Sequence, residues 1–433
     1  MNILHLSTYD SGGAAIAMFR LHSGFIQAGL NSRVVVLKKS TKHGHVTDLK
    51  IPIVLKIFYR VRYELIRRYL KRRTDPVYCF FNGGEELCVS SKHVLRSLPF
   101  KPDIIILHWV TGFITSFTIR ELYEELKVPI LWRFNDLSAF TGGCHYPNGC
   151  VRYEQDCGFC PALGSRSFMD LSQRNLAKRK SILGSIPLLF ISSTSEIDNQ
   201  VRKSAVGRLC SIEKILISGD GSTFKPAQNR RRLRAEMSLP NNRFIVLFGA
   251  QDILDPRKGY SRLKSCLENM RSQLSEEEAS RILLIYATKS QGIPDASLPF
   301  ETTRLAFAAS NEDLVRLYQC ADVFVSPSIQ DAGPMMVLEA LLCGVPVISY
   351  DIGLANDVIR NGVNGFSYPT TGPGDLDEGI LRMLRLPDHS FHEFATNARE
   401  LALTEFDVSR ETAQYSYLFK TIKNDSESRK VCF

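Results

Sequence analysis

Short apolar runs alternate with helical patterns along almost the whole chain. In the first half the apolar runs are 2–6, 32–37, 103–108, 129–132 and 187–191. In the second half they are 244–248, 282–286, 304–307, 323–325 and 345–348. Short, β-branched runs between helices indicate parallel sheets that are covered by helices on both faces. The pattern therefore predicts an α/β protein made of two halves, each doubly wound.

The length and composition are those of a globular protein with two cores. A chain of 433 residues exceeds what one hydrophobic core usually organises. Apolar residues make up 44% and charged residues 23%, and no apolar run approaches the roughly 18–20 residues that span a bilayer. The N-terminus enters a predicted strand directly, without a signal-peptide pattern. These features predict a cytoplasmic protein whose cysteines are reduced or bound to metal.

Most of the chain's net positive charge is concentrated in one segment. The chain has a net charge of +9, and residues 54–73 hold eight lysines and arginines against Glu64 alone. Isoleucine, leucine, valine and aromatic residues between these cations give the segment an apolar side at helical spacing. This combination is typical of helices that lie on an anionic membrane surface. An ordinary surface helix packed on its own domain, or a nucleic-acid contact, would give a similar pattern; of these partners we expect an anionic membrane and no nucleic acid.

Four of the eleven cysteines lie close together in sequence. Cys144, Cys150, Cys157 and Cys160 are spaced C-x5-C-x6-C-x2-C within a loop that we place at 141–161. The last pair has the tight spacing of zinc knuckles. We predict a structural zinc on these four thiols, and unliganded or redox-labile thiols are the alternative.

A predicted helix that begins near Gly333-Pro334 carries a carboxylate among apolar residues. Proline is favoured in a first helical turn, and Gly344 and Pro346 mark the end of the helix. The helix is apolar on nearly every side, yet it contains Glu339. A buried carboxylate requires hydrogen-bonding partners, which could be structural or could be ligand hydroxyls. The start of the helix is also suited to an anion, so a phosphorylated sugar or a nucleotide competes with an ordinary core helix.

A second candidate phosphate or sugar contact lies near the N-terminus. Gly12 and Gly13 follow the first predicted strand and lead into the first helix, where they allow close approach of a ligand to the backbone. The sequence has neither G-x-G-x-x-G nor a Walker motif, which argues against NAD enzymes and P-loop ATPases.

Several blocks in a fixed order resemble the family 4 glycosyltransferases. They are residues 11–14, 107–112, 135–136 with 140–146, 255–259 and 326–365. Within that family the likeness is to the subgroup that assembles bacterial polysaccharides and lipopolysaccharides. The resemblance implies the GT-B fold, in which two Rossmann-like domains face each other across a cleft, and transfer of a sugar from a nucleotide-sugar with retention of configuration. It implies an acceptor domain at 1–215, a nucleotide-sugar domain at 216–405, and a C-terminal helix at 406–433 that crosses back to the first domain.

The resemblance also implies roles for individual residues. Asp331 corresponds to a contact with the donor hexose, and Glu339 to a ligand of the ribose hydroxyls. Lys258 corresponds to the cation that offsets charge on the leaving diphosphate, although a solvated loop lysine is the alternative. Asp136 is a candidate for binding, orienting or deprotonating the acceptor hydroxyl, or alternatively a helix-capping acid. The expected donor-binding set is Gly12, Gly13, Arg257, Lys258, Asp331, Gly333, Pro334, Met335, Met336, Val337 and Glu339, in which the backbone of 333–337 faces the diphosphate.

On the acceptor side we expect His108, Trp109, Asn135 and Asp136, and the catalytic set is Asp136, Lys258 and Asp331. Three positions depart from the family pattern. Asp331 is one methylene shorter than the usual glutamate, which suggests an uncommon donor sugar. Asn135 stands where many relatives have histidine, which weakens a mechanism that needs an imidazole there. The usual arginine before the lysine is missing, and Arg257 is the nearest substitute.

The resulting expectation is a retaining hexosyltransferase in cell-surface polysaccharide synthesis. It would use a UDP- or GDP-sugar without a catalytic metal, because no Asp-x-Asp cluster is suitably placed, and it would act at the inner face of the plasma membrane on a lipid-linked saccharide. Front-face attack, in which the leaving phosphate oxygen takes the acceptor proton, is what the family implies. The alternatives are a non-catalytic, membrane-docked subunit of an assembly complex and a sugar-nucleotide hydrolase or epimerase on the same fold.

Overall fold

The chain folds as two α/β units. The structure is a computed structural model and describes residues 1–80, 85, 89–291, 298–371 and 374–430. The first unit comprises Met1–Ile217 together with Ser409–Phe433, and the second comprises Ser218–Val408. The polar segment that begins at Ser218 thus opens the second unit.

The first unit is built on a parallel sheet of seven strands. The strands are β1 (Asn2–Tyr9), β2 (Asn31–Lys38), β3 (Val46–Asp48), β4 (Ile104–Leu107), β5 (Ile130–Arg133), β6 (Leu188–Ser192) and β7 (Ser211–Lys214). Their spatial order is β3-β2-β1-β4-β5-β6-β7. The helices are α1 (Gly13–Gln27), α2 (Ile53–Lys71), α3 (Ser91–Arg96), α4 (Ser116–Leu126), α5 (Leu171–Leu183) and α6 (Ser195–Lys203). The central strands are buried along their length, as expected for a sheet covered on both faces.

The second unit repeats this architecture with six parallel strands. They are β8 (Phe244–Gly249), β9 (Ile282–Ala287), β10 (Thr302–Leu305), β11 (Val323–Ser326), β12 (Val347–Tyr350) and β13 (Gly365–Tyr368), in the order β10-β9-β8-β11-β12-β13. The helices are α7 (Arg230–Glu236), α8 (Tyr260–Ser272), α9 (Glu276–Ser280), α10 (Asn311–Cys320), α11 (Met335–Leu342), α12 (Ala355–Val358), α13 (Leu376–Leu384) and α14 (Asp388–Phe406). The predicted fold class is confirmed: both units are doubly wound.

The last helix belongs to the first unit. In α15 (Val408–Lys430), Tyr415 and Phe419 are buried in one core cluster with Ile3 and Leu21. The guanidinium of Arg133 on β5 donates to the carboxylate of Glu411 at 2.7 Å, and both side chains are fully buried. The predicted return of the C-terminal helix to the first domain is therefore observed.

Three strands were not predicted, and one is displaced. The missed strands are β3, β7 and β13, each of three or four residues. β3 and β7 lie at the two edges of their sheet, where few apolar residues are needed, and β7 is largely exposed. The strand expected at 304–307 is found at Thr302–Leu305, because pairing with β9 sets its register.

Both sheets reverse their strand order once, between β1 and β4 and between β8 and β11. At such a reversal the connecting helices pass to opposite faces, which opens a crevice at the carboxyl ends of the two strands. Most of the predicted site residues follow these four strands or the neighbouring β5.

Candidate functional site

In the second unit, a tight turn after β8 positions Lys258. The Asp255 carboxylate accepts from the backbone N–H of Arg257 and pairs with its guanidinium at 2.6 Å. Gly259 ends the turn with φ of +68°, and a Cβ there would lie 1.9 Å from the carbonyl oxygen of Pro327. Only glycine allows this close approach, which brings the turn against the loop that follows β11.

Lys258 and Asp331 form a direct ion pair across these two loops. The Lys258 Nζ lies 2.5 Å from Asp331 Oδ2, and the two side chains are 27% and 13% exposed. Burial raises the pKa of Asp331. The charge of Lys258, its hydrogen bond and the hydrogen bond from the Gly333 N–H have a larger effect, so the pKa lies below its ordinary value. Two of the three predicted catalytic residues are thus in contact, and Asp331 is held as a carboxylate. Lys258 is not a solvated loop lysine.

The start of α11 has fewer available N–H groups than expected. Pro334 is the N-cap and has none. The Gly333 N–H donates to Asp331 Oδ1 at 3.1 Å, and the Val337 N–H donates to the Pro334 carbonyl at 2.9 Å. This narrows the expected phosphate contact to the N–H groups of Met335 and Met336. Gly333 faces open space, so the backbone there is approachable.

Glu339 has a structural partner. Its side chain is 4% exposed, and the Tyr318 hydroxyl on α10 donates to its Oε2 at 3.0 Å. Tyr318 is fully buried, so the bond is shielded from water. The carboxylate is therefore accommodated without a ligand, and its role as a ribose ligand stays a prediction.

In the first unit, the turn after β1 is open above its glycines. Gly12 is the N-cap of α1 with φ of +89°, and apart from the adjoining chain no atom of the described residues lies within 4 Å of a Cβ built on Gly12 or Gly13. Just before them, the Asp10 carboxylate accepts from the N–H and hydroxyl groups of Ser40 and Thr41. Burial raises the pKa of Asp10, but these bonds lower it to about 2. Asp10 thus ties the β1 turn to the chain after β2, a function that the sequence did not reveal.

Asp136 lies in the loop after β5, where its carboxylate is held on both oxygens. Oδ1 accepts from the Ser138 N–H at 2.7 Å, and Oδ2 lies 2.6 Å from Nδ1 of His145. No helix starts here among the described residues, so Asp136 closes a local turn rather than capping a helix. Burial raises the pKa of Asp136, but the contacts with His145 and Ser138 prevail and lower it.

The remaining predicted acceptor residues differ in exposure. Trp109 is half-buried, stacks on Tyr9 with ring centroids 5.5 Å apart, and lies beside His145. His108 is buried, with its Nε2 2.9 Å from Nδ1 of His5. Asn135 is half-buried, and its Nδ2 has no hydrogen-bond partner among the described residues. His108 thus has a structural partner, and the acceptor-binding roles of all three stay predictions.

The four clustered cysteines line one small cavity of about 20 Å³, together with Thr141, Tyr153 and Ser172. Cys157 and Phe159 adopt positive φ of 57° and 45° around Gly158, so the knuckle is a constrained turn. Within the described ranges, no group of three or more His, Cys, Asp or Glu side chains has an arrangement that could hold a metal ion. The convergence of the thiols is observed, while the zinc stays a prediction.

Residues 229–401 match the family model described as Glycosyl transferases group 1. The chain is similar to the D-inositol 3-phosphate glycosyltransferase of Streptomyces bingchenggensis, with 25% identity over 47% of this chain and 46% of that protein. The part of this relative that the chain matches is therefore less than half of the relative's length. A second relative is the N,N'-diacetylbacillosaminyl-diphospho-undecaprenol alpha-1,3-N-acetylgalactosaminyltransferase of Campylobacter jejuni, with 33% identity over 30% of this chain and 34% of that protein.

Among solved structures, HepE from Anabaena in complex with UDP-glucose covers 97% of this chain and 100% of its own, with a TM-score of 0.63 and 16% identity. At that identity the likeness shows the fold alone, and the fold is GT-B. The group 1 match includes Lys258, Asp331 and Glu339, and it lies entirely within the second unit.

Proposed function

We propose that the protein is a retaining hexosyltransferase that moves a sugar from a UDP- or GDP-sugar to a lipid-linked oligosaccharide during polysaccharide assembly. The observation that carries the proposal is the Lys258–Asp331 pair, which lies beside the opening of α11 in the part of the chain that matches the group 1 model. A cation held next to a helix N-terminus suits the diphosphate of a leaving nucleotide. The ion pair keeps Lys258 positioned before the donor arrives.

The chemistry we propose uses few protein groups. The acceptor hydroxyl attacks the anomeric carbon from the face that the diphosphate leaves, the new glycosidic bond forms there, and the departing phosphate oxygen takes the hydroxyl proton. Lys258 offsets the negative charge that develops on the diphosphate, and Asp331 contacts the donor hexose. A pKa lowered by its surroundings suits Asp331 to accept hydrogen bonds from sugar hydroxyls.

The acceptor class is suggested by one relative and by helix α2. The Campylobacter jejuni relative is named for an undecaprenol-linked acceptor, which is a lipid-linked saccharide. In α2, the apolar residues that face solvent form a stripe at helical spacing and are each 52–72% exposed: Ile53, Val54, Ile57, Phe58, Val61, Leu65 and Tyr69. The other side of α2 contacts the unit, through Ile66 and Leu70 in one core cluster and through Tyr63, whose ring centroid lies 5.4 Å from the Lys38 Nζ. An ordinary packed surface helix would bury this stripe instead.

An exposed apolar stripe flanked by cations is complementary to an anionic lipid surface. The exposed cations in α2 and directly after it include Arg60, Arg67, Arg68 and Arg72. We therefore propose peripheral attachment to the inner face of the plasma membrane through α2. No helix in the described part of the chain is long and apolar enough to cross a bilayer.

The deciding experiment combines nucleotide binding with a donor screen. Calorimetry should detect UDP or GDP binding, and incubation with radiolabelled nucleotide-sugars and extracted membrane lipids should label a lipid-linked product. If neither nucleotide binds, the protein is a non-catalytic subunit. If a nucleotide-sugar is consumed without labelled lipid, the protein is a hydrolase or an epimerase. Inversion at the anomeric carbon, measured by NMR of the product, would overturn the retaining mechanism.

A further inference from the structure

The cysteine-rich loop carries an imidazole to the Asp136 carboxylate in the first unit. Nδ1 of His145 lies 2.6 Å from Asp136 Oδ2, and both side chains are more than 90% buried. The Trp109 ring also lies beside the imidazole, with ring centroids 5.6 Å apart. His145 is the neighbour of Cys144, so the same loop supplies both the histidine and the first cysteine.

Backbone contacts on both sides fix the position of His145. Its carbonyl accepts from the Leu137 N–H at 3.1 Å, and its N–H donates to the Cys79 carbonyl at 3.1 Å. Cys144 pairs with Phe80 in an antiparallel bridge. Arg179 on α5 donates to the carbonyl oxygens of Ser138 and Thr141, within the same loop. The imidazole is thus held in place by the backbone fold of the loop.

The distances assign the proton on Nδ1. A carboxylate only accepts hydrogen bonds, and the Trp109 indole N–H only donates. Nδ1 lies 2.6 Å from Asp136 but 3.3 Å from Trp109 Nε1. The shorter, charge-assisted contact prevails, so Nδ1 carries a hydrogen that it donates to Asp136. The Trp109 ring then lies against the imidazole but takes no part in the hydrogen bond between His145 Nδ1 and Asp136.

We infer that His145 is the positioning residue that aims the Asp136 carboxylate at the acceptor hydroxyl. The Ser138 N–H, the Ser138 hydroxyl and His145 Nδ1 occupy three of the roughly four lone-pair sites on the two oxygens, which leaves about one. That remaining capacity lets Asp136 accept a hydrogen bond from a sugar hydroxyl while it stays fixed. The Trp109 ring beside it stacks on Tyr9 but is only half-buried, and its exposed part can contact the apolar face of a sugar ring.

This inference rests on the proposed transfer reaction and assigns a residue to its acceptor side. A purely structural role for His145 is the competing explanation, because the residue is buried. The two are separated by His145→Phe, which keeps an aromatic ring but removes the donor, and His145→Asn, whose Nδ2 can replace Nδ1 as the donor. Nucleotide affinity is the internal control, since the group 1 match lies in the other unit.

We expect His145→Phe to lower kcat/KM for extracted lipid acceptor by about 10- to 100-fold, as loss of a charge-assisted hydrogen bond does. Nucleotide affinity should be unchanged, and His145→Asn should recover most of the loss. In an Asp136→Asn background, His145→Phe should add little, because the two residues act as one unit. Equal losses in His145→Phe and His145→Asn, or full activity in His145→Phe, would overturn the inference. Absence of transfer by the unmodified protein would instead refute the proposed function.

Discussion

Lys258 Nζ and Asp331 Oδ2 are 2.5 Å apart, although 73 positions separate the two residues in sequence. The contact joins the turn after β8 to the loop after β11, the two strands that flank the reversal of the second sheet. A single ion pair therefore lies where the topology of a doubly wound sheet opens a ligand crevice.

We expect Lys258→Met to reduce transfer by at least about 100-fold, because the charge that offsets the leaving diphosphate is lost. The variant also leaves the Asp331 carboxylate, which is 13% exposed, without its cation. Calorimetric unfolding should therefore show a loss of roughly 1–3 kcal/mol. Lys264→Met is the matched control, since the Lys264–Glu268 pair on α8 is exposed and 3.8 Å long and should contribute less than about 1 kcal/mol. Retained transfer in Lys258→Met would remove this residue from the catalytic set.

The pairing of Glu339 with Tyr318 allows ligand binding and folding to be tested separately. Tyr318→Phe removes the hydroxyl that donates at 3.0 Å and should cost about 1–3 kcal/mol of stability while nucleotide affinity stays within about threefold. Glu339→Gln keeps an acceptor for Tyr318 but removes the charge. If Glu339 is the ribose ligand, this variant should weaken UDP or GDP binding by about tenfold or more in calorimetry. Unchanged affinity would leave Glu339 with a structural role alone.

How much of the fold and of the candidate site can be predicted from the sequence depends on how far apart in sequence the interacting residues are. The fold class and most strands follow from apolar runs, because a strand buried on both faces requires continuous apolar residues. The roles of Lys258, Asp331 and Glu339 are implied by the resemblance to the family 4 glycosyltransferases, which rests on short motifs. The pairing of Lys258 with Asp331 is a tertiary contact, and no periodicity reveals it.

The contacts that the sequence did not reveal join separate loops or, for Tyr318 and Glu339, separate helices. His145 lies beside Cys144 in the sequence, but its contact with Asp136 depends on the path of the chain between the two residues. Asp10, directly after β1, bonds to Ser40 and Thr41, which follow the neighbouring strand β2. Tyr318 is one of several buried residues on α10, and its spacing does not distinguish it from an ordinary core residue. A polar residue at the carboxyl end of a predicted strand, such as Asp10, was the one available signal.

A buried chain of histidines should make the first unit sensitive to mild acid. His5 bonds to His108 and to Ser32, which also bonds to His22. Burial, followed by neighbouring charges, lowers the pKa of His5 and His108 well below the ordinary value and that of His22 to about 4. The folded state therefore keeps them neutral, whereas the unfolded chain takes up protons below about pH 6.5. Their stabilisation is complete above that pH and is lost as the pH falls toward 4.

Urea unfolding between pH 7.5 and 5 measures this effect above the range in which the carboxylates with lowered pKa values lose stability, which begins at about pH 5. Both tryptophans, Trp109 and Trp132, lie in the first unit, so their fluorescence reports on it alone. Stability should fall by up to about 1.4 kcal/mol per histidine for each pH unit below 6.5. His22→Asn should flatten the slope, whereas the exposed His389→Asn, in the second unit, should not. A slope identical in all three proteins would contradict the prediction.

Metal analysis tests the cysteine cavity. If the four thiols bind zinc, purified protein should hold about one zinc per chain, and Cys157→Ser should lower that content and loosen the 141–161 loop. Cys210→Ser is the control, because Cys210 lies in the same unit but does not line the cavity. Zinc content far below one per chain, in protein purified without chelator, would refute the site and leave the thiols unliganded.

Helix α2 gives the sharpest test of membrane attachment, because its apolar and cationic contributions can be removed separately. Phe58→Ser with Leu65→Ser should weaken binding to vesicles that contain anionic lipid by about tenfold or more, since both side chains are over half exposed and contribute through burial in lipid. Arg67→Gln with Arg68→Gln should weaken it by a similar factor at low salt and by less at high salt, because each cation contributes about 1 kcal/mol that salt screens. Tyr417→Ser, which removes a 75% exposed aromatic residue on α15, is the control and should bind normally. Sedimentation with neutral and anionic vesicles separates the two contributions: binding that ignores lipid charge would eliminate the electrostatic part, and unchanged binding in both double variants would show that α2 is not the attachment surface.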